Sequence, residues 1–563
     1  MKRTKEPTPC GAGKEPQPLQ GSDESPSSTS RRGLLRSLGA ATAVTAGLRP
    51  AYADGGSGNG DGNGTRVEQS FQVRLGAALR ERQVPTPAHP TNGDEGRYAS
   101  RIGNFSKGLP HNSAGEVDAT AYESLIDALS SGDPSDFEQI RLGGTVKLVN
   151  PQSGLAFDLE GTDCHQMAIP PAPAIASREA AAEAVELYWH ALLRDVPFSQ
   201  YATNSSVKDA ADELTSLGAF AGPRMGGKVT PQTLFRGFTP GDLTGPYVSQ
   251  FLLKPATFGA EEIVQQIQTL MPGSDQMTTF TEWLNVQNGL SAGPNQLDST
   301  RRYIRNGRDL AGYVHVDVLF QAYFNACLIL VGMNAPLNPG NPYNSSRTQV
   351  GFGTFGIPHV KSLMCEVATR ALKAVWHQKW LVHRRLRPEE FGGLVHVTKT
   401  MIAGKSYPLD DSVLKSNAVA QVFGRFGSYL LPQAYAEGCP QHPSYGAGHA
   451  TVAGACVTIL KAFFDERFVL PSPVVASDDG SALLPYTGPG AGQLTAGGEL
   501  NKVAANVAVG RNWAGIHWRT DYSASVALGE AIAISVLRDQ RATYNESFHG
   551  FTFTKFDGTQ ITV

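Results

Sequence analysis

The sequence predicts a mainly α-helical protein with small β-hairpins. Apolar residues recur at spacings of three and four in many separate windows, as at Val185, Tyr188, Trp189 and Leu192, which puts them on one helix face. Loops rich in Pro, Gly and Asn part these windows, the longest being 334–357 and 471–498. The C-terminal stretch Phe551-Thr-Phe-Thr-Lys-Phe-Asp557-Gly558-Thr-Gln-Ile-Thr-Val563 alternates around Asp-Gly, the pattern of a hairpin. With 563 residues, 41% of them hydrophobic and 18% charged, the chain can bury a large core.

The first fifty residues read as an export leader. Ser30-Arg31-Arg32-Gly33-Leu34-Leu35 begins a twin-arginine pattern, a mild apolar run spans Leu38 to Leu48, and Ala51-Tyr52-Ala53 is a small-x-small cleavage site. The expected organisation is a signal peptide at 1–53, a Gly/Asp/Asn linker at 54–66 and one helical domain at 67–563, periplasmic or secreted. Cleavage would remove eight Lys/Arg and four Asp/Glu and take the formal charge from −3 to −7. Neither value points to nucleic acid as a partner. Beyond the leader, no run of about eighteen residues is apolar enough to span a bilayer.

Next in order, Arg66 to Arg82 reads as a helix or an extended arm, and 86–115 as surface loop. A short helix is expected over Ala119–Leu129. Arg141–Val149 and Leu155–Leu159 should pair as a hairpin around Asn150-Pro-Gln-Ser-Gly154. From Ser177, a suitable N-cap, the chain turns helical, with further helices near 206–219, 260–271, 311–333, 358–383, 411–430, 448–464, 499–512 and 518–539. The six cysteines include no CxxC pair, which argues against a zinc site. Loss of Cys10 with the leader leaves five, as disulfides or as buried thiols. The oxygen-rich 334–357 loop could hold a calcium but lacks EF-hand spacing.

Three segments carry chemistry. In Cys439-Pro-Gln-His442-Pro-Ser444-Tyr-Gly446-Ala447-Gly448-His449 a glycine turn feeds a helix, whose free N–H groups and dipole suit an oxyanion. Trp376-His-Gln378-Lys379-Trp-Leu-Val-His-Arg384-Arg385-Leu-Arg387-Pro388-Glu389 supplies cations, with Pro388 holding Arg387 extended. Arg511-Asn-Trp513-Ala-Gly-Ile-His517-Trp-Arg-Thr-Asp521 adds a cation and an imidazole. Lys379, Arg387 and Arg511 with the Gly448 N–H would bind the oxygens of phosphate or vanadate.

These blocks, in this order and spacing, resemble the vanadium-dependent haloperoxidases and the related acid phosphatases. The Lys379-to-Arg387 block is most similar to algal-type vanadium bromoperoxidases and their bacterial relatives. The resemblance is sharpest over about 360–540 and looser at Phe105–Asn112 and Glu186–Phe198. It implies two four-helix bundles, a homo-oligomer, and vanadate bonded to His517 as its one protein ligand, with Lys379, Arg387, Gly448 and Arg511 around the oxygens. It implies that His449 and Lys379 act on hydrogen peroxide, that bromide or iodide is oxidised to hypohalous acid, and that small organic acceptors follow. His442 stands where bromide-oxidising relatives tend to have histidine and chloride-oxidising ones phenylalanine, so it is a candidate for halide choice, although it could merely cap its loop. The alternative is an exported acid phosphatase with the same cage. Relatives usually read Ser-Gly-His where this chain has Ala447-Gly448-His449, with Ser444 a candidate replacement for the hydroxyl. Asp521 would be a partner for His517 or an arginine, or an exposed helix carboxylate.

Overall fold

A computed structural model describes residues 62–563. The expected leader, its cleavage site, Cys10 and most of the linker lie outside the described residues. The helices are α1 Gly62–Gln83, α2 Asp94–Arg97, α3 Ala119–Ser131, α4 Pro134–Phe137, α5 Arg178–Leu193, α6 Ser205–Ser216, α7 Phe280–Gln287, α8 Gly307–Val316, α9 Gln321–Gly332, α10 Ile357–His377, α11 Pro388–Thr400, α12 Asp411–Leu414, α13 Asn417–Phe426, α14 Gly448–Phe463, α15 Ala496–Trp513 and α16 Arg519–Arg541. The strands form antiparallel pairs: β1 Ala256–Phe258 with β2 Glu261–Ile263, β3 Ile267–Leu270 with β4 Leu297–Arg302, β5 Val474–Ala476 with β6 Leu483–Pro485, and β7 Thr552–Thr554 with β8 Gln560–Thr562. The expected C-terminal hairpin is β7–β8, with Phe553 opposite Ile561. Ser177 caps α5, its Oγ accepting the Ala180 N–H at 3.1 Å.

The core is organised around α14, which packs on α10, α15 and α16. Every residue of α14 except His449 is buried. Its crossing with α16 is backbone on backbone. A Cβ on Gly454 would lie 2.1 Å from the Val526 carbonyl oxygen, and one on Gly529 would lie 1.9 Å from that of Thr451. Any side chain there must push the helices apart. The crossing sets the start of α14, with Gly448 and His449, against the start of α16, with His517 and Asp521 near it.

Several expectations need correction. Residues 260–271 are not helical but contribute β2 and β3. Spacings of four and three put Ile263, Ile267 and Leu270 on one helix face, but the chain there is extended, and the Gln265 amide ties it down by donating to the carbonyls of Phe251 (2.9 Å) and Lys254 (2.6 Å). Residues 141–159 form no hairpin. Pro151–Leu155 is a 3-10 turn laid on α10 so closely that a Cβ on Gly154 would sit 2.9 Å from the His377 nitrogen. The helix expected over 311–333 is α8 and α9, bent by 102° at the break between them. That over 411–430 is α12 and α13, with Ser416 capping α13. Gly62–Thr65, expected as linker, already belong to α1. The five described cysteines are free. No single described helix is long and apolar enough to cross a membrane.

Candidate active site

The helix expected over 358–383 runs as α10 and then widens into one π-helical turn, Gln378–His383, ended by Arg384 at φ +40°. The wider turn carries Lys379 into the interior. Its ammonium is fully buried and donates to the carbonyls of Pro443 (2.7 Å) and Ser444 (2.9 Å), 5.7 Å from the Trp376 ring centre. Burial first, then the neighbouring Arg387 charge, drive its pKa well below the usual lysine value.

Pro388 begins α11 and Arg387 is extended before it, at φ −81° and ψ 157°, as the Arg-Pro order predicts. The Arg387 N–H donates to Glu390 Oε2 at 2.6 Å, which aims the side chain inward. Its guanidinium donates to the His442 and Ile516 carbonyls at 2.8 and 2.9 Å, and to His517 Nε2 and His442 Nδ1, both at 2.9 Å. His442 also lies against Trp376, ring centres 4.8 Å apart. Its neighbour Arg384 instead pairs with Glu95, and Arg385 with Glu183 and Asp521. Arg387 is therefore the arginine of the site.

Arg511 ends α15. One terminal nitrogen donates to the Val314 carbonyl, and its Nε is buried with no partner. Gly515, at φ +86°, turns the chain into the segment holding His517. Nδ1 of His517 lies 2.7 Å from Asp521 Oδ2, so Nδ1 carries the proton and Nε2 keeps its lone pair. Burial, then Arg387 and Lys379, lower the His517 pKa far below the usual value. The same three causes act on His442. Both shifts favour the neutral imidazole.

Asp521 is not an exposed carboxylate. It is fully buried and also accepts from the Trp518 N–H, from Arg385 and from the Ser444 hydroxyl. That last bond overturns Ser444 as a replacement for the missing serine, because its only hydroxyl hydrogen is committed to Asp521. The Ala447 N–H donates to Ser525 Oγ at 2.7 Å, and Ala447 gives α14 no side-chain cap. At the start of α14, His449 Nε2 is 3.0 Å from Asp317 Oδ1, with His449 26% exposed.

The three sequence blocks thus meet. Arg387 touches both His442 and His517, and Lys379 lies over the loop that leads to Gly448. Among the described residues, neither Lys379, Arg387 nor Arg511 forms an ion pair with a carboxylate. Residues 364–546 match the family described as the second helical-bundle domain of VCPO. The chain is 38% identical to the vanadium-dependent bromoperoxidase of Corallina officinalis, over 89% of this chain and 98% of that one. The chain belongs to the vanadium-dependent haloperoxidase family. To the vanadium-dependent bromoperoxidase of Ascophyllum nodosum it is 38% identical, over 88% of this chain and 92% of that one. The homohexameric structure of the second vanadate-dependent bromoperoxidase of that alga superposes with a TM-score of 0.84 at 33% identity, covering 94% of this chain and 95% of that chain.

For this haloperoxidase, sequence reasoning missed Asp317 and Ser525. Asp317 follows α8, flanked by Val316 and Val318, which are 75% and 58% exposed. An apolar-acidic-apolar triplet inside an apparent helix gives no signal of a turn. Ser525 lies four residues after Asp521, and that helical spacing is the signal that could have found it.

Proposed function

We propose that the protein holds vanadate on His517 and oxidises bromide and iodide with hydrogen peroxide to hypohalous acid. One observation carries this reading: three buried cations and a lone-pair imidazole nitrogen converge, and among the described residues none of the three cations is ion-paired to a carboxylate. Such a charge excess is costly unless an anion completes it. Lys379 and Arg387 have only neutral acceptors, Arg511 Nε has none, and among the described contacts the Gly448 N–H is unmatched. This donor set fits a tetrahedral oxyanion, and His517 Nε2 adds the nitrogen ligand that vanadium takes.

In this reading Lys379, Arg387, Arg511 and the Gly448 N–H hold the oxygens by charge-assisted hydrogen bonds. Asp521 keeps Nε2 of His517 free of a proton and turned into the site. Bound vanadate supplies a Lewis acid that withdraws electron density from a peroxide oxygen without changing oxidation state. His449, held through Nε2 by Asp317, takes the peroxide proton on Nδ1. Lys379 stabilises negative charge during halide attack, and His442 adjusts Arg387 through the bond to Nδ1. Small organic acceptors consume the hypohalous acid.

The phosphatase alternative is not favoured, since the similarity to bromoperoxidases extends over 89% of the chain. The homohexameric neighbour supports a homo-oligomer here, and the twin-arginine pattern supports export. The test is purified protein assayed with and without vanadate, for bromide oxidation by peroxide and for phosphate-ester hydrolysis. Vanadate-dependent bromide oxidation is expected. Ester hydrolysis alone would overturn the reading.

A further inference from the structure

We infer that Arg385 and Glu183 are positioning residues for the vanadate ligand: one guanidinium, clamped between Glu183 and Asp521, holds the carboxylate that sets the ring orientation of His517. The inference rests on the proposed role of His517.

Arg385 donates through NH1 to Asp521 Oδ1 and through NH2 to Glu183 Oε2, each at 2.9 Å, and NH1 also reaches Thr520 Oγ1 at 2.9 Å. Glu183 belongs to α5 and Asp521 to α16, so the fork ties two helices that the sequence holds far apart. The Glu183 carboxylate also accepts the Thr520 N–H at 2.5 Å, which anchors it to the first turn of α16. The guanidinium lies 4.5 Å from the Trp518 ring centre. It is held in orientation as well as charge.

Asp521 is thereby held on both oxygens. Oδ1 takes Arg385, whereas Oδ2 takes His517 Nδ1, the Trp518 N–H and the Ser444 hydroxyl. Ser444 closes the ring by donating its own N–H to the Arg385 carbonyl at 3.0 Å. A carboxylate held at one oxygen can turn about its last bond and offer the imidazole a poorer acceptor. Held at both, it leaves Nδ1–H one direction and Nε2 one direction. Outer partners that orient a ligating histidine are worth about 10- to 100-fold in affinity for the bound group.

The experiment uses full-length vanadate-free protein with ¹⁵N-labelled histidine, as wild type, Arg385→Lys and Glu183→Gln. Arg385→Lys keeps the charge and loses the fork. Glu183→Gln is nearly isosteric, which guards against simple failure to fold. Wild type should show His517 as a single Nδ1–H tautomer. In both variants the His517 Nδ1–H should exchange with solvent faster, with vanadate dissociation constants raised about 10- to 100-fold in equilibrium binding. Folded variants with lowered melting temperature but unchanged Nδ1–H exchange and unchanged vanadate affinity would overturn the inference, as would a wild-type His517 protonated on Nε2. The tautomer readout needs no vanadate, so a wild type with the expected tautomer that bound no vanadate would sink the functional reading alone.

Discussion

Asp317 Oδ1 lies 3.0 Å from Nε2 of His449, across the break between α8 and α9. His449 is the one residue of α14 that is not buried, and Asp317 holds its ring through Nε2. Asp317→Asn should leave vanadate binding nearly unchanged and lower the bromide turnover number about 10- to 100-fold, a part of the roughly 100- to 10,000-fold that a positioned acid–base group contributes. Equal losses in vanadate affinity and turnover would contradict this division of labour.

His517→Ala should abolish vanadate binding, since it removes the imidazole nitrogen proposed as the ligand. Equilibrium binding to the vanadate-free protein reads this directly. The variant should also be inactive at any vanadate concentration that does not inhibit wild type.

Ala447→Ser should tighten vanadate binding about 10- to 100-fold, the worth of one hydrogen bond to a charged group. Ser444 does not already fill the role, because its hydroxyl donates to Asp521. A serine there would also cap α14 and stabilise the apo-protein by about 1 kcal/mol. Reactivation titrations and melting temperatures should therefore rise in affinity and stability together.

Wild type should oxidise bromide and iodide well and chloride poorly. His442→Phe removes the acceptor that holds Arg387 at 2.9 Å and should raise the ratio of chloride to bromide oxidation. Steady-state rates with each halide across pH measure it. Efficient chloride oxidation by wild type would refute the bromide assignment.

Lys461 gives a stability prediction away from the site. Its ammonium is buried, with Asn501 Oδ1 at 3.2 Å and the Phe556 ring centre at 4.3 Å, and burial lowers its pKa to about 8. The unfolded chain, with lysine near 10.4, binds more protons between those two values. The penalty is therefore complete below about pH 8 and vanishes as pH rises toward the unfolded value. Lys461→Met should stabilise the protein by about 2 kcal/mol at pH 7, and denaturant midpoints should show the gain shrinking above pH 8.

The sequence allowed the cage to be read because its parts sit at helix ends marked by strong local rules. Pro388 dictates an extended Arg387, a glycine turn marks the start of α14, and Gly515 marks the turn before His517. Where local rules are ambiguous the reading failed. Ile263, Ile267 and Leu270 have the spacing of a helix, yet the segment is extended, with Gln265 bonded to backbone outside it. The Val149–Leu155 stretch turns on contact with α10, which no local pattern reveals. Asp317 was hidden for the same reason: its role depends on a bend between two apolar helices and on a histidine 132 positions away.

Gly454 and Gly529 have a consequence for how this enzyme can diversify. They bring α14 and α16 together at a distance that only hydrogen atoms permit, so the aperture between Gly448 and His517 is a fixed gauge. Substitution at either glycine would push the two helices apart and widen the gauge. Under the proposed function, variation in affinity and halide range would then fall to positions such as Ala447 and His442, which the crossing does not involve.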